Sequence, residues 1–214
     1  MSNAVYSVPT PVNEPVLGYT PDSAERRQLE AELRRQAADV VEIPLLIGGR
    51  EIRTGRTQDV VMPHEHGTVI ATCHLAGPKE IDMAVDAALD AHRDWAAMPW
   101  DRRMAIFLKA ADLLAGPWRM PINAATMRNQ SKTSHQAEID AACELIDFFR
   151  FNADYAQRIY TREQPPVSPP GTWNQMEFRP LEGFTYAVTP FNFTSIAVNL
   201  PAAPAMMGNV AIWK

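Results

Sequence analysis

Cysteine is nearly absent. Cys73 and Cys143 are the only two in 214 residues, too few for a disulfide scaffold and too far apart for a zinc site. An excess of positive charge is missing as well. With 20 Lys and Arg against 25 Asp and Glu, the net charge is −5, so no basic stripe can neutralise phosphates and no nucleic-acid partner is expected. The first thirty residues contain no apolar core of a secretory signal. One long uncharged stretch exists, Gly183 to Trp213, but Pro190, Pro201, Pro204 and Gly208 interrupt it. It reads as buried sheet and helix, and no membrane span is expected. Neither a Gly-x-Gly-x-x-Gly fingerprint nor a P-loop occurs, and no internal repeat is visible. What remains is a reduced, intracellular protein whose 46% hydrophobic content can fill the core of one or two domains. The expected compartment is the cytoplasm, or the mitochondrial matrix in a eukaryote, although no transit peptide is seen.

Punctuation by proline and glycine divides the chain. Pro9, Pro11, Pro15 and Pro21 make the first residues an extended arm, draped on something or disordered. Ser23 caps a helix from Ala24 to about Ala38. Leu45-Leu46-Ile47, paired glycines, then Arg50-Glu51-Ile52 predict a β-hairpin. Two further strands, Asp59 to Pro63 and Thr68 to Thr72, flank a His64-Glu-His-Gly67 turn. His64 and His66 read as turn and strand histidines, and no metal is expected. Helical spacing then predicts a stripe of Ile81, Val85, Ala88, Leu89 and His92, and next a helix capped by Asp101 and stopped at Gly116-Pro117. A short helix around Pro121 to Asn129 follows, then a long one from about Ser134 to Tyr160. Gln164 to Gly171 is a stiff polyproline-like connector, and Trp173 to Arg179 alternates like a strand with one wet face. The expected organisation is an arm and helix over 1–40, hairpins and a helical layer over 41–162, a connector with an oligomerisation strand over 163–182, and the start of a Rossmann-like βαβ unit over 183–214. The fold class is α/β.

Chemistry concentrates at the end. An apolar β-forming run ends at Thr189-Pro190, a Phe191-Asn-Phe-Thr194 turn follows, and an apolar helix leads through Gly208-Asn209 into a second strand that closes on Lys214. The carboxyl ends of such strands are where open α/β sheets bind ligands. Asn192 can donate its amide to a developing oxyanion, or it can simply cap the helix beginning near Thr194. Lys214 can hold a nucleotide, or it is an ordinary solvated lysine.

Thr189-Pro-Phe-Asn-Phe-Thr194 followed by Asn199-Leu-Pro-Ala-Ala-Pro through Gly208-Asn-Val-Ala-Ile-Trp-Lys214 resembles the aldehyde dehydrogenase superfamily. Gln130-Ser-Lys-Thr133, Gln136-Ala-Glu-Ile-Asp140, Glu144 to Asn152 and Leu181-Glu-Gly-Phe184 are similar to its branch that oxidises L-glutamate γ-semialdehyde, the open form of Δ1-pyrroline-5-carboxylate. The resemblance runs from about residue 11 to the end. It implies the N-terminal part of an aldehyde dehydrogenase fold, an NAD cofactor, a small aldehyde substrate, conversion of that semialdehyde to glutamate in proline degradation, and a homodimer or higher homo-oligomer. Asn192 matches the family's oxyanion-hole asparagine. Thr189, Pro190 and Phe191 match the segment along the cofactor, and Lys214 matches the lysine that grips its ribose. Phe193 matches an aromatic beside the aldehyde's aliphatic part, and Glu144 matches a carboxylate near its amino end, although Asp140, Glu144 and Asp147 can equally be a solvated row. The nucleophilic cysteine and the glutamate that activates water are expected beyond residue 214, and the 214 residues alone are expected to be inactive. Two other readings stay open: an enzyme for a different aldehyde, or a truncated, non-catalytic assembly module.

Overall fold

The computed structural model describes residues 6–162, 164–165 and 167–214. The first five residues of the expected arm, and positions 163 and 166 of the expected connector, lie outside the described residues.

The arm is draped and not free. The Val8 amide donates to Gln157 Oε1 at 2.6 Å, and Asn13 Nδ2 and the Glu14 amide each donate to Asp147 at 2.7 Å. Helix α1 (Ala24–Ala37) follows, with the Ser23 hydroxyl accepting from the Arg26 amide as an N-cap. The hairpin β2 (Leu45–Ile47) and β3 (Arg50–Ile52) forms as the paired glycines require, with Gly48 and Gly49 at φ of 56° and 73°. Strand β4 (Thr57–Met62) pairs antiparallel with β5 (Glu65–His74), and β1 (Val41–Ile43) adds parallel to the other edge of β5. The turn between β4 and β5 is shorter than expected. Pro63-His64 alone makes it, and Glu65 to Gly67 belong to β5, where a register irregularity absorbs them.

Helix α2 (Pro78–Ala97) starts on proline, which lacks only an N–H that has no partner there, and the Gly77 amide donates to Glu80 Oε2 at 2.8 Å. Its expected apolar stripe is real but half bare, with Ile81 and Leu89 exposed. Helix α3 (Trp100–Ala115) begins two residues earlier than predicted. Pro99 takes the cap position, and Asp101 lies inside the first turn, where its charge still faces the helix's positive end. Helix α4 (Arg119–Gln130) leads to α5 (Ser134–Ala137), capped by Thr133.

The long helix is not uniform. Residues Glu138–Cys143 are π-helical, and α6 (Glu144–Arg162) continues from them. The wider turn shifts every later side chain around the axis relative to the earlier ones. The Asp140, Glu144, Asp147 spacing therefore no longer describes one solvated row. Asp140 accepts from Lys132 at 2.7 Å, Glu144 accepts from Ser195, and Asp147 holds the arm.

Trp173 to Arg179 forms no ladder among the described residues, and Trp173 is 89% exposed. Alternation prepares a strand, but a strand exists only when another backbone takes its N–H and C=O groups. The last unit forms as predicted: β6 (Thr185–Ala187), α7 (Thr194–Met206) and β7 (Ala211–Trp213), with β6 and β7 parallel. The main core lies between α3, α6 and α7, built on Met104, Ala111, Leu145, Ile146, Phe149 and Met206. This packing fixes α7, and so the turn that precedes it, against the face of α6.

Candidate active site

The turn from Thr189 to Ser195 is fastened on both sides of Asn192. On the strand side, the Thr189 amide and hydroxyl both donate to the Lys214 carbonyl, at 3.1 and 2.7 Å. The Lys214 amide donates to the Ala187 carbonyl at 2.9 Å. The carboxyl ends of β6 and β7 are thereby clamped side by side. On the helix side, three consecutive residues are each tied to a different partner. Lys132 Nζ stands 4.3 Å from the centre of the Phe193 ring while paired to Asp140, a cation–π contact that seats the ring. The Thr194 hydroxyl accepts from Gln130 Nε2 at 2.9 Å and shares a second bond with Thr126, also at 2.9 Å. The Ser195 hydroxyl donates to Glu144 Oε2 at 2.5 Å.

Asn192 alone is left over. It is exposed, and among the described residues its amide makes no hydrogen bond. The helix N-cap is Phe193, and no side chain caps α7. The local capping role that competed for Asn192 is thus not used. An amide without a protein partner, on a turn whose flanking residues are fastened, is available to donate to a developing oxyanion.

The other expected site residues surround it. Pro190 and Phe191 line an open groove of about 550 Å³ together with Thr126, Gln130, Thr194 and Trp213. Phe191 is 90% exposed at its lip. Lys214 is exposed at the end of β7. Glu144 is joined to the turn through Ser195. The strand ends, the Thr189–Lys214 clamp and the aromatic lip together suit a flat, extended ligand lying over a sheet edge.

Both cysteines are unsuited to nucleophilic attack. Burial, and after it the neighbouring Glu138 charge, pushes the Cys143 thiol up to about 12, so at neutral pH it is almost entirely thiol. Cys73 lies within β5 and donates to the Gln58 carbonyl at 3.4 Å. His64 Nδ1 lies 2.7 Å from the Ser131 hydroxyl. Among the described residues no three metal-ligating side chains converge, and no helix is long and apolar enough to cross a membrane.

The charged cluster that sequence reading missed joins the arm, α4 and the π-helical turn. Glu138, fully buried, accepts from Tyr19 Oη and Asn123 Nδ2 at 2.7 Å each, from the Leu17 amide at 2.8 Å, and from the Arg119 guanidinium. Arg119 also reaches Glu14 and the Pro15 carbonyl. Burial alone would raise the Glu138 pKa, but the bonds from Arg119, Tyr19 and Leu17 outweigh it and hold the carboxyl below its ordinary value. Burial and the neighbouring Glu138 charge push the Tyr19 hydroxyl up. The cluster joins positions more than a hundred residues apart, and no local spacing announces it.

A model of the aldehyde dehydrogenase family matches residues 51–214. The chain belongs to the aldehyde dehydrogenase family. This family chain is 49% identical over 212 residues to the Delta-1-pyrroline-5-carboxylate dehydrogenase of Agaricus bisporus, covering 99% of itself and 39% of that enzyme. It is 48% identical over 202 residues to the mitochondrial Delta-1-pyrroline-5-carboxylate dehydrogenase of Homo sapiens, covering 94% of itself and 36% of that protein. Among solved structures, the Mycobacterium tuberculosis Delta-pyrroline-5-carboxylate dehydrogenase bound with NAD superposes with a TM-score of 0.96 at 54% identity, over 99% of this chain and 39% of that one. The fold is therefore the N-terminal part of the aldehyde dehydrogenase fold. The chain spans well under half the length of each of these relatives.

Proposed function

We propose that the chain supplies the oxyanion donor and part of the cofactor surface of an NAD-dependent L-glutamate γ-semialdehyde dehydrogenase, which yields glutamate. The observation that carries this reading is the free amide of Asn192 on a turn fastened at Thr189 and at residues 193 to 195. Relatives bearing that activity in their names, and one with NAD bound, support it. In this reading a cysteine thiolate outside these 214 residues attacks the aldehyde carbon, and Asn192 stabilises the oxyanion of the resulting thiohemiacetal. Lys214 holds the ribose, with Thr189, Pro190 and Phe191 along the cofactor's length. NAD, when bound, supplies the acceptor for the hydride. Water then releases glutamate from the thioester. Phe193 packs on the aldehyde's methylenes and Glu144 takes its α-ammonium group. The domain organisation over 1–40, 41–162, 163–182 and 183–214 belongs to the same reading, as do a homo-oligomer built through the 173–179 segment and a mitochondrial location in a eukaryotic host.

The experiment is Asn192→Ala in the full-length protein carrying this sequence. The kcat for the semialdehyde should fall by roughly 10²–10³ with the KM for NAD held, as for loss of one oxyanion donor. An unchanged kcat removes Asn192 from the chemistry.

A further inference from the structure

Ser195 is fully buried in the first turn of α7. Its hydroxyl reaches across to the first residue of α6, donating to Glu144 Oε2 at 2.5 Å. Among the described residues Glu144 Oε1 accepts no hydrogen bond. A carboxylate with one oxygen bound and one free is constrained in a particular way. It cannot rotate about its terminal torsion without breaking the bond, so the second oxygen keeps a fixed direction. The π-helical segment Glu138–Cys143 ends just before Glu144, so the rotation it introduces sets where this carboxylate emerges. The residues on either side of the bond reinforce it: Phe193 is seated by Lys132 and Thr194 by Gln130 and Thr126. The positive charge of Lys132 is neutralised by Asp140 at 2.7 Å, and among the described residues no cation pairs with Glu144.

We infer that Ser195 is a positioning residue for substrate selection. It aims Glu144 Oε1 at the α-ammonium group, so that an amino-bearing semialdehyde is preferred over the same chain without nitrogen. The inference rests on the reading in which Glu144 faces the substrate. Losing the hydroxyl leaves Oε2 unpaired and the carboxylate free to turn, and both weaken a charge-assisted contact that depends on direction. The effect belongs to binding, because the α-ammonium lies away from the carbon that is oxidised.

The test is Ser195→Ala in the full-length protein, a change that removes a single oxygen from a buried site. Steady-state constants are measured with L-glutamate γ-semialdehyde and with 5-oxopentanoate, which lacks only the amino group. The KM for the amino-bearing aldehyde should rise about tenfold, the loss of one charge-assisted hydrogen bond, with kcat and the KM for NAD within about twofold, because Thr189, Phe193 and Thr194 still fasten the Asn192 turn. The constants for 5-oxopentanoate should stay within the same range. In a Glu144→Gln background the Ser195→Ala change should add nothing, since the two residues act through one contact. Equal losses with both aldehydes, or no change with either, overturns the assignment of Ser195 and leaves Asn192 and the reaction standing. A wild-type protein that takes both aldehydes with equal KM overturns the role of Glu144, and with it this inference, before any variant is made.

Discussion

Gly208 carries a φ of 90°, and a Cβ built there would lie 2.7 Å from Pro180 Cγ and 3.3 Å from the carbon of the Arg103 guanidinium. Two penalties therefore coincide, a left-handed backbone and a contact with no room. Arg103 cannot move aside cheaply, because it is buried, donates to the Met206 carbonyl at 3.1 Å and to the Tyr160 hydroxyl at 3.2 Å, and also bonds the Met98 carbonyl. Gly208→Ala should destabilise the chain by about 2–4 kcal/mol, read as a lower urea midpoint with unchanged slope. The neighbouring Asn209→Ala should also lose the bond its Oδ1 accepts from the Leu181 amide at 2.9 Å. The break at Gly208-Asn209 was legible in the sequence because turn chemistry is local. The arginine standing across from it was not, because 105 positions separate Arg103 from Gly208 and only packing joins them. Asn192 shows the same division. Its residue type and strand-end position were legible, but the choice between cap and free donor needed the partners of residues 193 to 195.

Among the elements, the arm depends on charges and the helices mostly do not. Helices α3, α6 and α7 bury Met104, Leu145, Ile146 and Met206 against one another, a periodic apolar pattern that sequence reading recovers readily. Residues 6 to 19 hold on through Glu14, whose carboxylate bonds Arg119 and pairs with Arg150 at 2.7 Å, with Asp147 binding the Glu14 amide. Glu14 is only 10% exposed at its side chain, so truncating it leaves two guanidinium groups short of a partner in a poorly hydrated place. Glu14→Ala should cost about 3–5 kcal/mol. Limited proteolysis should then cut before Ser23 while α6 and α7 stay protected, and cleavage at wild-type rates would assign the arm's docking to its other contacts, from Val8, Asn13, Leu17 and Tyr19. The π-helical turn was invisible to periodicity, because six residues at a longer repeat cannot be told from an α-helix by spacing. Trp173 to Arg179 errs the other way. Its alternation is a property of the segment, whereas a ladder is a property of two segments, and only one is present among the described residues.

For the whole molecule, the cluster linking the arm, α4 and the π-helical turn sets how stability follows pH. Glu138 faces Arg119, Tyr19, Asn123, the Leu17 amide and Cys143, with Glu14 and Arg150 adjoining through Arg119. The Glu138 carboxyl is held below its ordinary value in the folded chain. The unfolded chain therefore takes up a proton first as pH falls, and the stabilisation present above about pH 4.3 is lost as pH drops through the lower folded value. The thiol of Cys143 acts in the opposite limb. Its folded pKa is pushed up to about 12, against about 8.5 in an unfolded chain. The unfolded form releases its proton first as pH rises, so stability is complete below about pH 8.5 and declines towards the folded value. Urea unfolding across this range should give a plateau near neutrality with both limbs falling. Cys143→Ala should lower the plateau by the lost packing and flatten the alkaline limb while the acid limb keeps its slope. Glu138→Gln should flatten the acid limb, at the cost of a buried Arg119 left with Glu14 as its one carboxylate. An alkaline limb of equal slope in wild type and Cys143→Ala would transfer that limb to Tyr19, whose hydroxyl burial also raises.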